Sequence, residues 1–206
     1  MSDSETFNNQ KYTTVKGLVP TDLCRIVTKY ALMKEEREFT PEGPGTQVEE
    51  AHSIYADTLM ETLLFFLRPH IEKATGKSLC PTYSYYRVYR PGAILKKHID
   101  RPACEISTTV CFGQYYTLKE KDYRWGMYVD NGILITQDAG DAIVYRGCEI
   151  DHWRDEFDAG ENSYQVQAFF HYIDKDGPFY PEWAYDTRPG LGFRTDQKKV
   201  NQIDDK

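Results

Sequence analysis

The sequence predicts an α+β fold in which helices precede a β sandwich or barrel. Apolar residues recur at helical spacing in the first third of the chain, and short runs rich in β-branched and aromatic residues, separated by Gly, Pro, Asn and Asp, follow. Helices followed by many short strands are typical of that class. At 206 residues, with 40% hydrophobic content, the chain is long enough for one domain with a sizeable core. We expect that single domain over residues 16–206.

The N-terminal part of this pattern begins with a polar stretch. Residues 1–15 contain no apolar run, which favours a flexible N-terminus. Thr21 can then cap a helix, because apolar residues recur behind it at helical intervals. These observations predict a first helix over residues 21–35.

A second helix is predicted after a Pro- and Gly-rich loop at residues 40–45. Apolar residues continue at helical spacing from 47 to 75, which favours one long helix, with a break near Pro69. Gly76 is a suitable helix end.

The remainder of the chain has the composition of strands. β-branched and aromatic residues are concentrated in six short runs, at 82–89, 106–116, 126–129, 132–136, 141–145 and 163–173. The following segment, 176–185, is rich in Pro and aromatic residues, so we expect it to pack back on the sheets or to cover the mouth of a site.

Charge and cysteine content exclude several functional classes. A net charge of −7 argues against a nucleic-acid groove, although Lys96, Lys97 and Arg101 form a local basic cluster. Five cysteines without a CxxC pair indicate neither a zinc knuckle nor a disulfide framework and favour a reducing, cytoplasmic compartment. The longest apolar run, 63–67, is too short to span a bilayer, so we expect no membrane partner.

Two histidines and one carboxylate supply the residues for a facial iron(II) site. His98 and Asp100 are two positions apart, so on a strand or its extension both side chains point to the same side. His152 would complete the site from a distant segment. Such a triad leaves three positions of an octahedral metal open for a cosubstrate and O₂. An HxD pair also arises by chance, and a lone histidine is more often a core or surface residue than a ligand.

The surrounding residues carry a resemblance to a known family. The stretch Tyr89-Arg-Pro-Gly92-Ala-Ile-Leu95-Lys-Lys-His98-Ile-Asp100 fills the pattern YxxGxx(F/Y/L)xxHxD. Ala139-Gly140-Asp141, a strand and then His152 follow in the family order, with Gly160 in the next turn. From about 83 to 174 the chain thus resembles the prolyl 4-hydroxylase-like branch of the Fe(II)/2-oxoglutarate-dependent dioxygenases.

The resemblance implies a fold and a reaction. It implies a double-stranded β-helix (jelly roll) core over about 82–174, with the N-terminal helices packed on one sheet. It further implies Fe(II) held by His98, Asp100 and His152, with 2-oxoglutarate and O₂ as cosubstrates. The expected activity is hydroxylation of an unactivated C–H bond in an amino acid-like small molecule or a peptidyl proline, with release of succinate and CO₂.

One departure from the family concerns the group that binds the distal carboxylate of 2-oxoglutarate. Family members carry an arginine or lysine about ten residues beyond the distal histidine, whereas residues 161–163 include none. Arg87 is the first substitute, because it shares a strand face with Tyr89, which the family uses in this pocket. Arg154 and Arg146 are weaker candidates. Uncharged donors for the same pocket are Gln165, Gln167 and Asn162. An exposed strand position for Arg87, and a solvated sheet face for the two glutamines, are the structural alternatives.

Other readings remain open at this stage. His171 competes with His152 as distal ligand, but His152 fits the family order better, which favours a sheet or supporting role for His171. Trp153, beside His152, is the tryptophan best placed for a substrate contact. The absent basic residue leaves room for a cupin-like metal-dependent oxygenase that does not use 2-oxoglutarate, or for a non-catalytic jelly-roll protein with a vestigial metal site.

Overall fold

The computed structural model describes residues 2–38, 47–48, 50–118 and 122–193. This part of the chain forms three α-helices, α1 (Asp3–Gln10), α2 (Thr21–Glu38) and α3 (Thr58–Thr75). Its ten strands are β1 (Tyr12–Val15), β2 (Ala51–Tyr55), β3 (Leu79–Tyr89), β4 (Leu95–His98), β5 (Ile106–Tyr115), β6 (Met127–Val129), β7 (Ile133–Ile135), β8 (Ala142–Tyr145), β9 (His152–Arg154) and β10 (Tyr164–Asp174). Two short 3-10 helices cover Pro102–Cys104 and Ala184–Thr187.

The strands form two antiparallel sheets. The large sheet has the order β1-β8-β5-β10-β3-β2, and the small sheet has the order β4-β9-β6-β7. Alternate side chains of β10 divide between two environments: Val166, Ala168 and Phe170 join a core shared with α2 and α3, whereas Phe169 belongs to a second core. The large sheet is therefore covered by helices on one side, as expected for the predicted α+β architecture.

The predicted long helix over 47–75 is wrong in its first part. Residues 51–55 form β2, which pairs antiparallel with β3, so Ala51 lies opposite Tyr89. Helix α3 starts later because the Asp57 side chain accepts hydrogen bonds from the backbone N–H groups of Leu59 and Met60, at 3.0 and 3.3 Å. It continues through Pro69 without ending there, and Gly76 closes it with a φ of 72°.

The expected flexible segment over 1–15 is instead largely ordered. Ser2 and Glu5 form a capping box at the start of α1. Strand β1 then pairs with β8, with Tyr12 opposite Tyr145, and so becomes an edge of the large sheet. Because β1 has only four residues and pairs with a strand far away in the sequence, the sequence alone gives little indication of it. The predicted loop at 40–45 lies outside the described residues.

The segment after β10, residues 175–193, packs back on the fold and is called the C-terminal strap here. Arg188 in the strap donates hydrogen bonds to Glu61 of α3 and to the carbonyl of Thr82 of β3. Asp186 accepts hydrogen bonds from Nη1 and Nη2 of Arg101, at 2.6 and 2.9 Å. Within 176–185, the Trp183 ring lies 6.0 Å from the Arg101 guanidinium, so the packing expected from the Pro and aromatic content of this segment is present.

Two further observations bear on the class of protein. Within the described ranges, no helix combines the length and the apolar character that crossing a membrane requires. All five cysteines are free thiols, and four of them are buried. Their side chains serve as small apolar residues in the packing.

Candidate metal centre

His98, Asp100 and His152 converge at the edge of the small sheet. His98 ends β4 and His152 begins β9, and the two residues lie opposite each other in the pairing of these strands. The Oδ1 atom of Asp100 lies 3.7 Å from Nε2 of His98 and 3.5 Å from Nε2 of His152. One ligand atom from each residue falls within 4.8 Å of the others. The sequence prediction that these three side chains meet is therefore matched by the geometry.

Backbone carbonyls orient both imidazoles for metal binding. Nδ1 of His98 lies 2.7 Å from the carbonyl oxygen of Lys96, and Nδ1 of His152 lies 3.2 Å from that of Ile150. Because a carbonyl oxygen only accepts, each Nδ1 carries a proton, and Nε2 is the atom of each ring that can bind a metal. Burial, with the neighbouring His152, lowers the pKa of His98, which favours the neutral ring that a metal requires.

The third residue of the triad, Asp100, is an ionised carboxylate supported by hydrogen bonds. Burial alone would raise the pKa of Asp100, but hydrogen bonding and charge interaction with His152, with a further hydrogen bond from Ser107, lower this pKa to about 2. The Ser107 hydroxyl donates to Oδ2 at 2.8 Å, and the backbone N–H of Asp100 donates to the carbonyl of Gly147 at 2.8 Å. Two imidazoles and one ionised carboxylate fit a facial Fe(II) site.

His171 lies behind this centre rather than in it. Its Nδ1 is 2.9 Å from the Ser107 hydroxyl, and its ring packs against Tyr83 at 4.5 Å. A ligand atom of His171 groups with Asp100 and Cys104, but not with the other two histidines. This arrangement agrees with the preference for His152 as the distal ligand.

The triad opens into a cavity of about 240 Å³ between the two sheets. Its lining is largely aromatic, with a few polar groups: Gln47, Tyr83, Tyr85, Arg87, Leu95, His98, Asp100, Tyr145, His152, Phe169 and His171. A small aromatic pocket with a few convergent polar groups is typical of a small-molecule site.

Arg87 is the cationic residue of this cavity. It is 4% exposed, so the alternative of an exposed strand arginine is excluded. The guanidinium donates to Gln47 Oε1 at 2.6 Å and to the Tyr89 hydroxyl at 3.4 Å, and it lies 4.9 Å from the ring centre of Tyr85. Gln47 also reaches His98, whose Nε2 is 3.1 Å from the Gln47 amide nitrogen. Gln47 thus spans the space between Arg87 and the metal-binding atom of His98.

The other two candidate arginines, Arg154 and Arg146, differ in their burial and in their partners. Arg154 is 1% exposed, and its Nη1 donates to the carbonyl of Trp125 at 2.9 Å. Its Nε and Nη2 have no hydrogen-bond partner in the described structure, and burial lowers the pKa of this guanidinium. It does not line the cavity. Arg146 pairs with Glu149 at 3.1 Å and lies over the ring of Phe7, away from the centre.

The uncharged candidates for the cosubstrate pocket are two buried glutamines and one exposed asparagine. Gln165 and Gln167 are 1% and 0% exposed, so the alternative of a solvated sheet face is wrong for both. Gln165 donates to Gln167 at 3.0 Å, and Gln167 donates to the hydroxyl of Thr109 at 2.6 Å, within one buried network. Asn162, by contrast, lies in an exposed turn with a φ of 62° and does not line the cavity.

Sequence reasoning missed five residues that shape this centre. Tyr83 and Tyr85 share the β3 face of Arg87, so the period of two could have identified them. Gln47 falls in the region predicted as helix. Ser107 and Gly147 reach Asp100 only through tertiary contacts, for which the sequence carries no local signal.

Comparison with known proteins identifies the fold. No protein-family model matches the sequence, and a search of curated proteins finds no match. Among solved structures, a Pseudomonas putida prolyl-4-hydroxylase is 16% identical, with a TM-score of 0.59 over 82% of this chain and 96% of that one. The non-heme α-ketoglutarate-dependent epimerase SnoN from nogalamycin biosynthesis is 12% identical, with a TM-score of 0.68 over 95% and 91%.

A third similar structure is HygX from Streptomyces hygroscopicus, solved with nickel and 2-oxoglutarate bound. It is 10% identical, with a TM-score of 0.60 over 84% of this chain and 86% of that one. At such identities the likeness establishes architecture. The expected jelly roll is confirmed: the chain has the fold of the Fe(II)/2-oxoglutarate-dependent oxygenases.

Proposed function

We propose that this protein is an Fe(II)- and 2-oxoglutarate-dependent dioxygenase that hydroxylates an unactivated C–H bond. The observation that carries the proposal is the convergence of His98, Asp100 and His152 within 4.8 Å on the wall of a cavity that also holds the Arg87 guanidinium. HygX, which has the same fold, binds nickel and 2-oxoglutarate. A metal triad beside a buried cation is the arrangement that a chelating keto acid with a distal carboxylate requires.

The residues of the triad would hold Fe(II) through Nε2 of each histidine and Oδ1 of Asp100. Bound iron and keto acid would supply the activation of O₂, with succinate and CO₂ as by-products. The protein's own contribution is geometric: the carbonyls of Lys96 and Ile150 fix the two rings, and aromatic side chains line the cavity beside the triad.

Arg87 is the proposed partner of the distal carboxylate of 2-oxoglutarate. Its hydrogen-bond acceptors among the described residues are neutral, namely Gln47, Ser53, Tyr85 and Tyr89, so no carboxylate of the described residues pairs with the buried charge. It lies opposite Gln167 in the pairing of β3 with β10. The cosubstrate would displace the Gln47 amide, which now spans the distance from Arg87 to His98. Arg154 is the second candidate, because two of its nitrogens lack a partner in the described structure.

The substrate proposed for this cavity is an amino acid-like small molecule or a short peptide containing proline. A volume of about 240 Å³ leaves room for one small side chain or ring beside the cosubstrate. The free thiols fit a cytoplasmic location. Hydroxylation is the proposed outcome because Asp100 supplies the carboxylate of the triad.

The test combines 2-oxoglutarate binding with succinate release. Anaerobically iron-loaded protein is titrated with 2-oxoglutarate and then exposed to O₂, and wild type is compared with His98→Ala. The matched control is His70→Ala, which alters an exposed histidine on α3. We expect His98→Ala to abolish both iron-dependent 2-oxoglutarate binding and succinate release, and the control to retain them.

The two rival functions give different results in this experiment. Iron binding without 2-oxoglutarate binding would identify a cupin-like oxygenase and reject the proposal. Absence of tight iron binding in wild type would leave a non-catalytic jelly-roll protein.

A further inference from the structure

His171 has a position and a chemistry that the metal centre does not use. It lies on β10 opposite Ser107 of β5, and it is 5% exposed while forming part of the cavity wall. A ring nitrogen of His171 lies within 4.8 Å of a carboxylate oxygen of Asp100, without contact to His98 or His152. The imidazole thus lines the cavity beside Asp100 and apart from His98 and His152.

The hydrogen bonds of Ser107 determine the tautomer of this ring. The hydroxyl of Ser107 has one proton and three neighbours: Asp100 Oδ2 at 2.8 Å, the carbonyl of Cys104 at 3.1 Å and Nδ1 of His171 at 2.9 Å. The carboxylate and the carbonyl only accept, so both compete for the serine proton. The remaining neighbour must be the donor, and the proton of the neutral imidazole therefore lies on Nδ1 of His171.

Nε2 of His171 is consequently a hydrogen-bond acceptor. No hydrogen bond to Nε2 is found within the described residues, and Nε2 does not belong to the fully buried atoms without a partner, so it is open to the cavity. Burial lowers the pKa of His171 to about 4, so the ring is neutral near neutral pH and its Nε2 carries a lone pair. Nε2 therefore offers an acceptor to a donor group that enters the cavity.

Stacked rings hold the imidazole in this orientation. Tyr83 packs on His171 with ring centres 4.5 Å apart, and Tyr55 stacks on Tyr83 at 5.0 Å. The Tyr55 hydroxyl donates to Asp186 of the C-terminal strap at 2.5 Å. The three rings form a wall that leads from the strap to the cavity, so the acceptor is fixed by packing as well as by Ser107.

We propose that His171 recognises the substrate, with Nε2 accepting a hydrogen bond from an N–H or O–H group adjacent to the C–H bond that is oxidised. This inference rests on the proposed oxygenase function and narrows its substrate class. The part of the substrate beside Asp100 bears an amide, amine or hydroxyl donor. A carboxylate, an ether or a plain hydrocarbon at that place would leave Nε2 without a partner. His171 is accordingly a specificity-determining residue.

The tautomer is measured directly by ¹⁵N–¹H correlation spectra of histidine-labelled protein loaded with Zn²⁺ and 2-oxoglutarate. His171→Gln identifies the resonances. We expect a proton on Nδ1 and an unprotonated Nε2 at neutral pH. A proton on Nε2 would overturn the proposal, because the ring would then present a donor to the cavity. This readout does not depend on turnover, so it separates a failure here from a failure of the oxygenase assignment.

Specificity is measured as stimulation of succinate release by common L-amino acids and prolyl peptide amides. For each compound that stimulates release, the analogue methylated on the nitrogen or oxygen next to the hydroxylated carbon is compared. We expect methylation to reduce stimulation about tenfold or more. Equal stimulation by both members of a pair would contradict the proposal.

Variants of His171 complete the test. His171→Leu should raise the KM for the stimulating compound about tenfold, whereas His171→Gln, which keeps an acceptor oxygen near the position of Nε2, should recover part of that loss. His70→Leu is the control on the exposed face of α3. Equal KM values for the Leu and Gln variants would show that His171 acts through packing alone.

Discussion

Gly147 and Asp100 are packed so closely that no side chain fits between them. The backbone N–H of Asp100 donates to the carbonyl of Gly147 at 2.8 Å, and a Cβ on Gly147 would lie 2.4 Å from Asp100 Oδ2 and 2.8 Å from the Ser107 hydroxyl. The carboxylate is thus supported by a backbone that approaches it directly. This support fixes the ligand before any metal binds.

Gly147→Ala should therefore weaken metal binding without a change to any ligand. The added methyl group must displace the Asp100 carboxylate, and loss of such support typically costs 10- to 100-fold in metal affinity. The measurement is a Co²⁺ or Zn²⁺ titration, with circular dichroism to verify folding. Gly190→Ala is the control, because the nearest atoms to its Cβ are ring carbons of Phe193 at 3.7 Å. Unchanged affinity in Gly147→Ala would contradict the role given to this contact.

Arg87→Met and Arg154→Met distinguish the two candidate anchors for 2-oxoglutarate. Loss of a buried charge partner costs at least about 2 kcal/mol, so the variant that removes the anchor should bind 2-oxoglutarate at least about 30-fold more weakly. We expect this result for Arg87→Met and near wild-type affinity for Arg154→Met. Calorimetric titration of the metal-loaded variants provides the measurement. The reverse pattern would assign the anchor to Arg154.

Gln47 occupies the space that the proposed cosubstrate needs. Its amide oxygen accepts from Arg87 at 2.6 Å, and its amide nitrogen contacts Nε2 of His98 at 3.1 Å. Because a hydrogen bond to a charged group is worth about 1.5–3 kcal/mol, its loss in Gln47→Ala should tighten 2-oxoglutarate binding about tenfold or more. The same titration measures this change. Weaker binding would indicate that Gln47 contributes to the bound state instead of competing with it.

The sequence predicted the metal triad through one local spacing and through the order of features in the family that it resembles. The HxD spacing places His98 and Asp100 on one side of an extended chain, and the Gly-Asp turn at 140–141 marks the approach to His152. The turn itself needs glycine, because Gly140 has a φ of 96° and its Cβ would lie 2.4 Å from the carbonyl oxygen of Val19. Such features are encoded in adjacent residues and can be read without a structure.

The parts that the sequence did not predict depend on distant partners. Strand β2 falls within the predicted helix because Ala51, Ile54 and Tyr55 have helical spacing. Pairing with β3 makes this segment a strand instead. The buried setting of Gln165 likewise includes a distant partner, Tyr116, whose hydroxyl donates to the Gln165 amide oxygen at 2.6 Å. Gly147 supports Asp100 from a turn 47 positions away in the chain (147 − 100), so no local pattern marks it.

The strap is held to the fold by a buried ion pair whose loss should destabilise the protein. Arg188 and Glu61 are 2% and 3% exposed, and Arg188 Nη2 lies 2.5 Å from Glu61 Oε1. Glu61→Gln leaves the guanidinium without its counter-charge, which should lower the free energy of unfolding by about 3 kcal/mol. Urea denaturation measures this loss. Glu36→Gln, at an exposed position of α2, should change stability by less than about 0.5 kcal/mol. Equal effects would show that the pair does not stabilise the strap.

The Gly140-Asp141 turn should make stability depend on pH through one carboxylate. Asp141 accepts hydrogen bonds from Lys16 at 2.6 Å and from the backbone N–H groups of Gly17 and Asp138 at 3.0 Å each. Burial alone would raise the pKa of Asp141, but these bonds outweigh that effect and lower it. A carboxylate with a depressed folded-state pKa stabilises the fold above its unfolded pKa, near 3.9, and this contribution disappears as the pH falls through the folded value.

Asp141→Asn should accordingly reduce the acid-induced loss of stability. We expect the unfolding free energy of wild type to fall more steeply than that of the variant below about pH 4, because only wild type loses a charged acceptor there. Urea denaturation from pH 6 to pH 3 measures both slopes, with Asp22→Asn as the control, since that side chain is 94% exposed. Parallel slopes for wild type and Asp141→Asn would show that the charge of Asp141 does not hold Lys16 and Gly17 on the turn.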